Sequence, residues 1–250
     1  MALGDERLSG ESDENGWARL GTNLDGVDTV SAKMSPCYKA NQGGGYIDFA
    51  DGPCGVDNAL LRAKDVLSTA RQQEAFDLVV RSWALSLDSV LPPSGGVASA
   101  RLLAATATSG VWAAHPYKVG ADAQQNQLVL RRRERWMVSD MFDAYLELTY
   151  TTTSTPFPLH LRRSRIFAKV SEDGGSITSG VLLGISSSAE ALNSVCDSLG
   201  HLELPSSADI ALDGSPGAFP CDGVSVAIGF RAESMNLNEG PPVEKSKVCQ

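Results

Sequence analysis

Hydrophobic and polar positions along the chain follow two different periods. Between residues 56 and 70, Leu60, Ala63, Val66, Leu67 and Ala70 recur at helical spacing while Arg62, Lys64 and Asp65 face away, which predicts a helix. Asp57, just ahead, is placed to accept the first free N–H groups of that helix. A second short helix is expected over 72–78. From Trp83 onward the period falls to about two. Trp83, Leu85 and Leu87 alternate with Ala84, Ser86 and Asp88, and a small-residue strand is expected over 97–108. Ala144, Leu146, Leu148 and Tyr150 alternate in the same way, as do Phe157, Leu159 and Leu161 and then Ile166, Ala168 and Val170. The turn Glu172-Asp-Gly-Gly175 leads into a strand over 177–185. The strictest alternation is the last, with Val224, Val226, Ile228 and Phe230 set against Ser225, Ala227, Gly229 and Arg231. Between these last two strands, residues 189–199 carry Ala191, Leu192, Val195 and Leu199 at helical spacing.

Strands with one apolar and one polar face are the signature of antiparallel sheets. The expected fold is therefore mainly β, an antiparallel β-sandwich with about two short helices. No internal repeat or linker divides residues 17–237, so one domain is expected there. Residues 1–16 are polar and acidic and read as a flexible tail; residues 238–250, with Pro241 and Pro242 and alternating charge, read as irregular chain.

Composition narrows the partners. The chain has 250 residues, 42% of them hydrophobic, and a net charge of -9. That apolar content supports a real core and excludes wholesale disorder. No run approaches the ~18 apolar residues of a membrane-spanning helix. The negative balance repels nucleic acid at long range, so no nucleic-acid partner is expected.

The five cysteines, Cys37, Cys54, Cys196, Cys221 and Cys249, form no C-x-x-C pair, which removes the usual mark of zinc ribbons and thioredoxin-like redox sites. They sit near turn-formers, a setting suited to disulfides. Cys37 with Cys54 and Cys221 with Cys196 are the favoured pairs; five reduced thiols in a cytosolic protein is the competing reading. Residues 1–16 contain no apolar leader core. Disulfide-like cysteines then favour a mature exported chain over a cytoplasmic one.

Four segments taken in order add a resemblance: Asn23-Leu-Asp-Gly-Val-Asp28, Asp51-Gly-Pro-Cys-Gly-Val-Asp-Asn-Ala59, Ile210-Ala-Leu-Asp-Gly214 and Cys221-Asp-Gly-Val-Ser-Val-Ala-Ile-Gly-Phe230. Together they resemble exported, lipoprotein-type proteins of myxobacteria that carry a D-G-x-x-G-[IV]-D-N segment and close on a C-D-x-[IV]-S-x-x-[IV]-G-F strand. The resemblance implies an exported location (periplasmic, cell surface or secreted) and a single-domain organisation. It implies nothing about chemistry.

Candidate chemistry is sparse. Asp48, Asp51 and Asp57 lie close together in a Gly-bent loop and can converge oxygen ligands on Ca²⁺, with Asp25 and Asp28 in reserve. The plainer reading is a turn at Asp51-Gly52 and a helix cap at Asp57. Arg131-Arg-Arg-Glu-Arg135 with Trp136 is the principal basic cluster. It can grip phosphate, sulfate or an acidic polymer, with the indole stacking beside it, or it can be a solvated face paired with the chain's own carboxylates. Trp112, Trp136 and Tyr145, with Tyr117 and Tyr150, are spread over the middle strands and can serve as flat platforms for sugars or as ordinary core filling. Glu147 and Asp143 share one strand and would carry a carboxylate-dependent hydrolase if a pair of acids were at work. There is no H-E-x-x-H, no G-x-S-x-G elbow and no phosphate-binding glycine motif.

The expected protein is thus a non-catalytic, exported or cell-surface ligand-binding module, calcium-stabilised, whose ligand is a glycan or another surface protein. Trp112, Arg133, Trp136 and Tyr145 are its expected contacts. An extracellular hydrolase acting on a polymer is the alternative.

Overall fold

The computed structural model describes residues 2–3, 24, 78–80, 83–108, 111–117, 126–150, 156–187, 189, 212–213, 222–235 and 238–244. Their architecture is mainly β. Twelve strands run in chain order: β1 Ala2–Leu3, β2 Leu78–Val80, β3 Trp83–Leu87, β4 Gly96–Thr108, β5 Val111–His115, β6 Gln127–Arg133, β7 Trp136–Ser139, β8 Phe142–Tyr150, β9 Pro156–Val170, β10 Ser176–Ser187, β11 Gly223–Glu233 and β12 Asn238–Glu239.

Their pairings join all twelve into one sheet, where the alternation had suggested the two layers of a sandwich. The path β10-β11-β1-β3-β4-β6-β7-β9 returns to its start because β9 also pairs with β10, so the sheet closes on itself. Every pairing on this ring is antiparallel; β12 on β5 is the parallel exception.

The two longest strands organise the ring by taking partners in series. β4, at 13 residues, holds β6 along 96–101 and β5 along 104–108 on one edge, and β3 on the other. β9, at 15 residues, holds β8 and then β7 on one edge, and β10 on the other. β7 and β8 therefore lie in line, separated by Asp140 and Met141. The irregularity falls at Arg163, whose φ of +53° breaks the extended backbone where β9 changes from β8 to β7. There the Arg163 N–H donates to Asp143 Oδ1, and the Ser164 hydroxyl donates to the Leu161 carbonyl.

Alternation places the core inside the closed sheet. Leu85, Leu130, Leu146, Leu161, Ile166, Leu182 and Ile228 from six different strands converge there, each at most 2% exposed. Each such side chain stabilises the fold by about 1.5–3 kcal/mol relative to exposure. Among the described residues no helix is long and apolar enough to cross a membrane.

Several expectations meet the structure at the edges of the chain. Ala2 and Leu3, placed by sequence in a tail, form β1 between β11 and β3. Leu78, placed by sequence at the end of a helix, begins β2 instead. Leu78-Val79-Val80 is rich in β-branched residues and pairs with Leu148, Thr149 and Tyr150 of β8. Ala189 is helical, as the periodicity predicted; the rest of that segment and the helix expected over 56–70 lie outside the described residues. Cys37, Cys54, Cys196, Cys221 and Cys249 also lie outside them, as do Asp48, Asp51 and Asp57.

Candidate functional site

The basic cluster Arg131-Arg-Arg-Glu-Arg135 does not act as a unit, because a strand sends neighbouring residues to opposite faces. Arg132 turns inward at the mouth of the closed sheet and is 8% exposed. Its Nε donates to the Glu134 carbonyl at 2.9 Å and its Nη1 to the Leu91 carbonyl at 2.9 Å, so it ties the β6–β7 turn to the loop before β4. Gly174 of the β9–β10 turn lies against the same guanidinium. Arg132 is therefore a structural pin.

Arg131, Arg133 and Trp136 face outward. Arg131 makes a bidentate pair with Asp140, Nε to Oδ1 at 3.1 Å and Nη2 to Oδ2 at 2.9 Å. The hydrogen bond from Arg131, aided by the positive charges of Arg131 and Arg165, holds the Asp140 carboxyl below its ordinary range. Arg135, in the turn, pairs with Glu172. Arg133 pairs with no carboxylate among the described residues.

Arg133 faces Trp136 across the β6–β7 hairpin, and Trp136 faces Lys169 across the β7–β9 pairing. The indole thus stands between two cations on three adjacent strands. Directly opposed side chains lie about 5 Å apart, so the cations are set roughly 10 Å from one another. Trp136 is 58% exposed, an unusual state for the largest apolar side chain in a protein with a well-filled interior. The neighbouring outward row holds Val97, Arg131, Val138 and Phe167, and Val97 is 57% exposed. Beside Lys169 an open recess of about 520 Å³ is lined by Arg135, Ser171, Glu172, Asp173 and Thr178.

The recess floor is a tight turn. The Ser171 hydroxyl donates to Asp173 Oδ1 at 2.5 Å and the Gly175 N–H donates to the same oxygen at 2.9 Å. These two bonds hold the Asp173 carboxyl below its ordinary range, the hydroxyl contributing most.

The other expected contacts lie elsewhere. Tyr145 is buried on β8, where its ring meets Tyr117 edge to face at 5.0 Å and 77°. Its hydroxyl donates to Glu147 Oε1 at 3.4 Å, and Glu147 is itself buried. The Asn126 side chain braces this strand, accepting from the Tyr145 N–H and donating to the Tyr145 carbonyl at 3.1 Å. Trp112 lies on β5, opposite Ala107 of β4. Of the four sequence-derived contacts, only Arg133 and Trp136 come together. Lys169, the third member of the patch, carried no signal in the sequence because its neighbour is set by register across β7 and β9.

Asp143 and Glu147 occupy one face of β8 four residues apart, a separation of about 13 Å along a strand. Paired glycosidase carboxylates sit about 5–9.5 Å apart. Asp143 is engaged with the Arg163 backbone. Among the described residues no three metal-capable side chains converge. Comparison with family models, with curated proteins and with solved structures returned no match for this chain.

Proposed function

We propose that the chain is a non-catalytic ligand-binding module of an exported or cell-surface protein, with a carbohydrate as its ligand. The observation that carries the reading is Trp136, exposed on a rigid three-strand face and flanked in register by Arg133 and Lys169. An indole fixed by two neighbouring strands offers a flat apolar surface for the C–H face of a sugar ring, while adjacent cations supply hydrogen-bond donors to its hydroxyls. Little backbone freedom is lost on binding, since the backbone under all three residues is already hydrogen-bonded.

Calcium at Asp48, Asp51 and Asp57, and disulfides Cys37–Cys54 and Cys196–Cys221, belong to the same reading as the stabilising devices of an exported domain. Another surface protein is the second ligand class consistent with the patch, since exposed Trp and Arg residues anchor protein interfaces as well.

A glycan array supplies the test. Trp136→Ala should weaken binding about tenfold or more, and because the ring is largely exposed it should leave stability within about 0.5 kcal/mol of wild type. Unchanged array binding by Trp136→Ala would overturn the assignment of this face.

A further inference from the structure

We infer that the carbohydrate bound at this face is anionic, a polysaccharide bearing carboxylate or sulfate groups. The inference rests on the module reading above and specifies its ligand class. The whole chain carries a net charge of -9, yet cations gather at the strand positions around Trp136. Arg131, Arg133, Arg165 and Lys169 project from β6 and β9 there; Asp140 lies among them, and Glu134, Glu172 and Asp173 stand in the flanking turns.

Asp140 is committed to Arg131 by two hydrogen bonds, and Glu172 to Arg135. Arg133 and Lys169 form no ion pair with any described residue. A protein with an excess of acidic residues has ample means to neutralise two surface cations. Their standing without an ion-pair partner among the described residues, on either side of an exposed indole, points to an external anion.

Geometry separates the two tasks. The indole takes the apolar face of one sugar, and the cations, roughly 10 Å apart on alternate strands, reach acidic groups on the units to either side. Arg133 offers a planar fork suited to carboxylate or sulfate oxygens, and Lys169 a compact point charge. A single-stranded nucleic acid presents a similar alternation of ring and charge. The overall negative field disfavours it because a long polyphosphate cannot confine itself to the small positive face.

Matched polymers differing only in charge make the test: dextran sulfate against dextran, and polygalacturonate against its methyl ester, with oligo(dT) as the phosphodiester arm. The full chain is used, with Arg133→Gln/Lys169→Gln and Trp136→Ala variants first checked for a wild-type unfolding midpoint. The expected result is binding of dextran sulfate or polygalacturonate but not of the neutral partner, weakened about tenfold between 50 and 200 mM salt by counterion release. The double variant should lose at least about tenfold in affinity and most of that salt dependence. Equal binding of charged and neutral polymers, unaffected by the double variant but lost in Trp136→Ala, would overturn the anionic inference and leave the module reading standing. Retention of no polymer at 50 mM salt would overturn both. Tighter binding of oligo(dT) than of either acidic polysaccharide would replace the ligand class with a polyphosphate.

Discussion

Gly184 lies on β10 beside the point where β9 changes partners, and a Cβ there would meet Leu161 Cβ at 2.8 Å and Ser164 Oγ at 2.9 Å. Both neighbours are fully buried and fixed, Ser164 by its bond to the Leu161 carbonyl. Neither can retreat, because the Arg163 irregularity sets their backbone. Gly184→Ala should therefore cost about 1–3 kcal/mol through overpacking. Gly175→Ala should cost well under that, since its Cβ would meet only the Asp173 carboxylate, at ordinary contact distance. Urea denaturation of the two variants checks the contrast; equal midpoints would remove the packing argument. None of this was legible in the sequence, where Gly184 sits in an unremarkable apolar run. The same holds for Arg132 and Arg133. They are identical neighbours in the chain, and only the register of β6 makes one a buried pin and the other an exposed contact.

At the scale of elements, alternation located the strands but not the burial of their second face: Tyr145 and Glu147 on β8, Leu183 and Ile185 on β10, and Ser225 and Ala227 on β11 are buried as well. β8, β10 and β11 match the expected apolar positions closely, and β9 runs through as a single strand where the sequence suggested two short ones. β6 and β7 escaped notice because Arg131-Arg-Arg133 hides a period of two beneath a run of like charges. Leu128, Leu130 and Arg132 point inward there, and Met137 and Ser139 do the same on β7. Two carboxylates between strands carry a pH dependence. Asp140 and Asp173 are both held below their ordinary range by hydrogen bonds that favour the ionised form. A depressed folded-state value means the stabilisation is complete above the unfolded value, about 3.9, and is lost as pH falls through the lower folded value. Wild type should thus lose stability between about pH 4 and pH 2 faster than Asp140→Asn/Asp173→Asn. Thermal melts across that range decide it, and parallel curves would show that neither carboxylate matters. The Arg131–Asp140 share should also shrink in high salt, as expected for an exposed pair.

For the molecule as a whole, closure of the sheet is the property with the widest consequences. A closed sheet leaves few free edges, and so protects the strands that complete it. β9, β10 and β11 form the continuous run of long antiparallel pairings, and each sends apolar residues into the shared core. β12 rests on β5 through two parallel pair positions, with the His115 ring bonded to the Pro241 carbonyl and to Thr106. β2 holds β8 through three positions. Alternation could not reveal this hierarchy, because it records which face of a strand is apolar and not which strands meet around the ring. Local opening free energies track the number of buried apolar contacts and paired backbone groups. Amide exchange should accordingly be slowest in β9 and β10, approach the global unfolding rate there, and be faster by orders of magnitude in β12 and β2. Peptide-resolved deuterium uptake measures this directly. Exchange of β12 and β9 at one common rate would show that β12 and the ring open as a single unit, contrary to this division. The proposed binding face lies on β6, β7 and β9, within the better protected part of the ring, so an acidic ligand should change uptake there only modestly. Its backbone is already paired across all three strands.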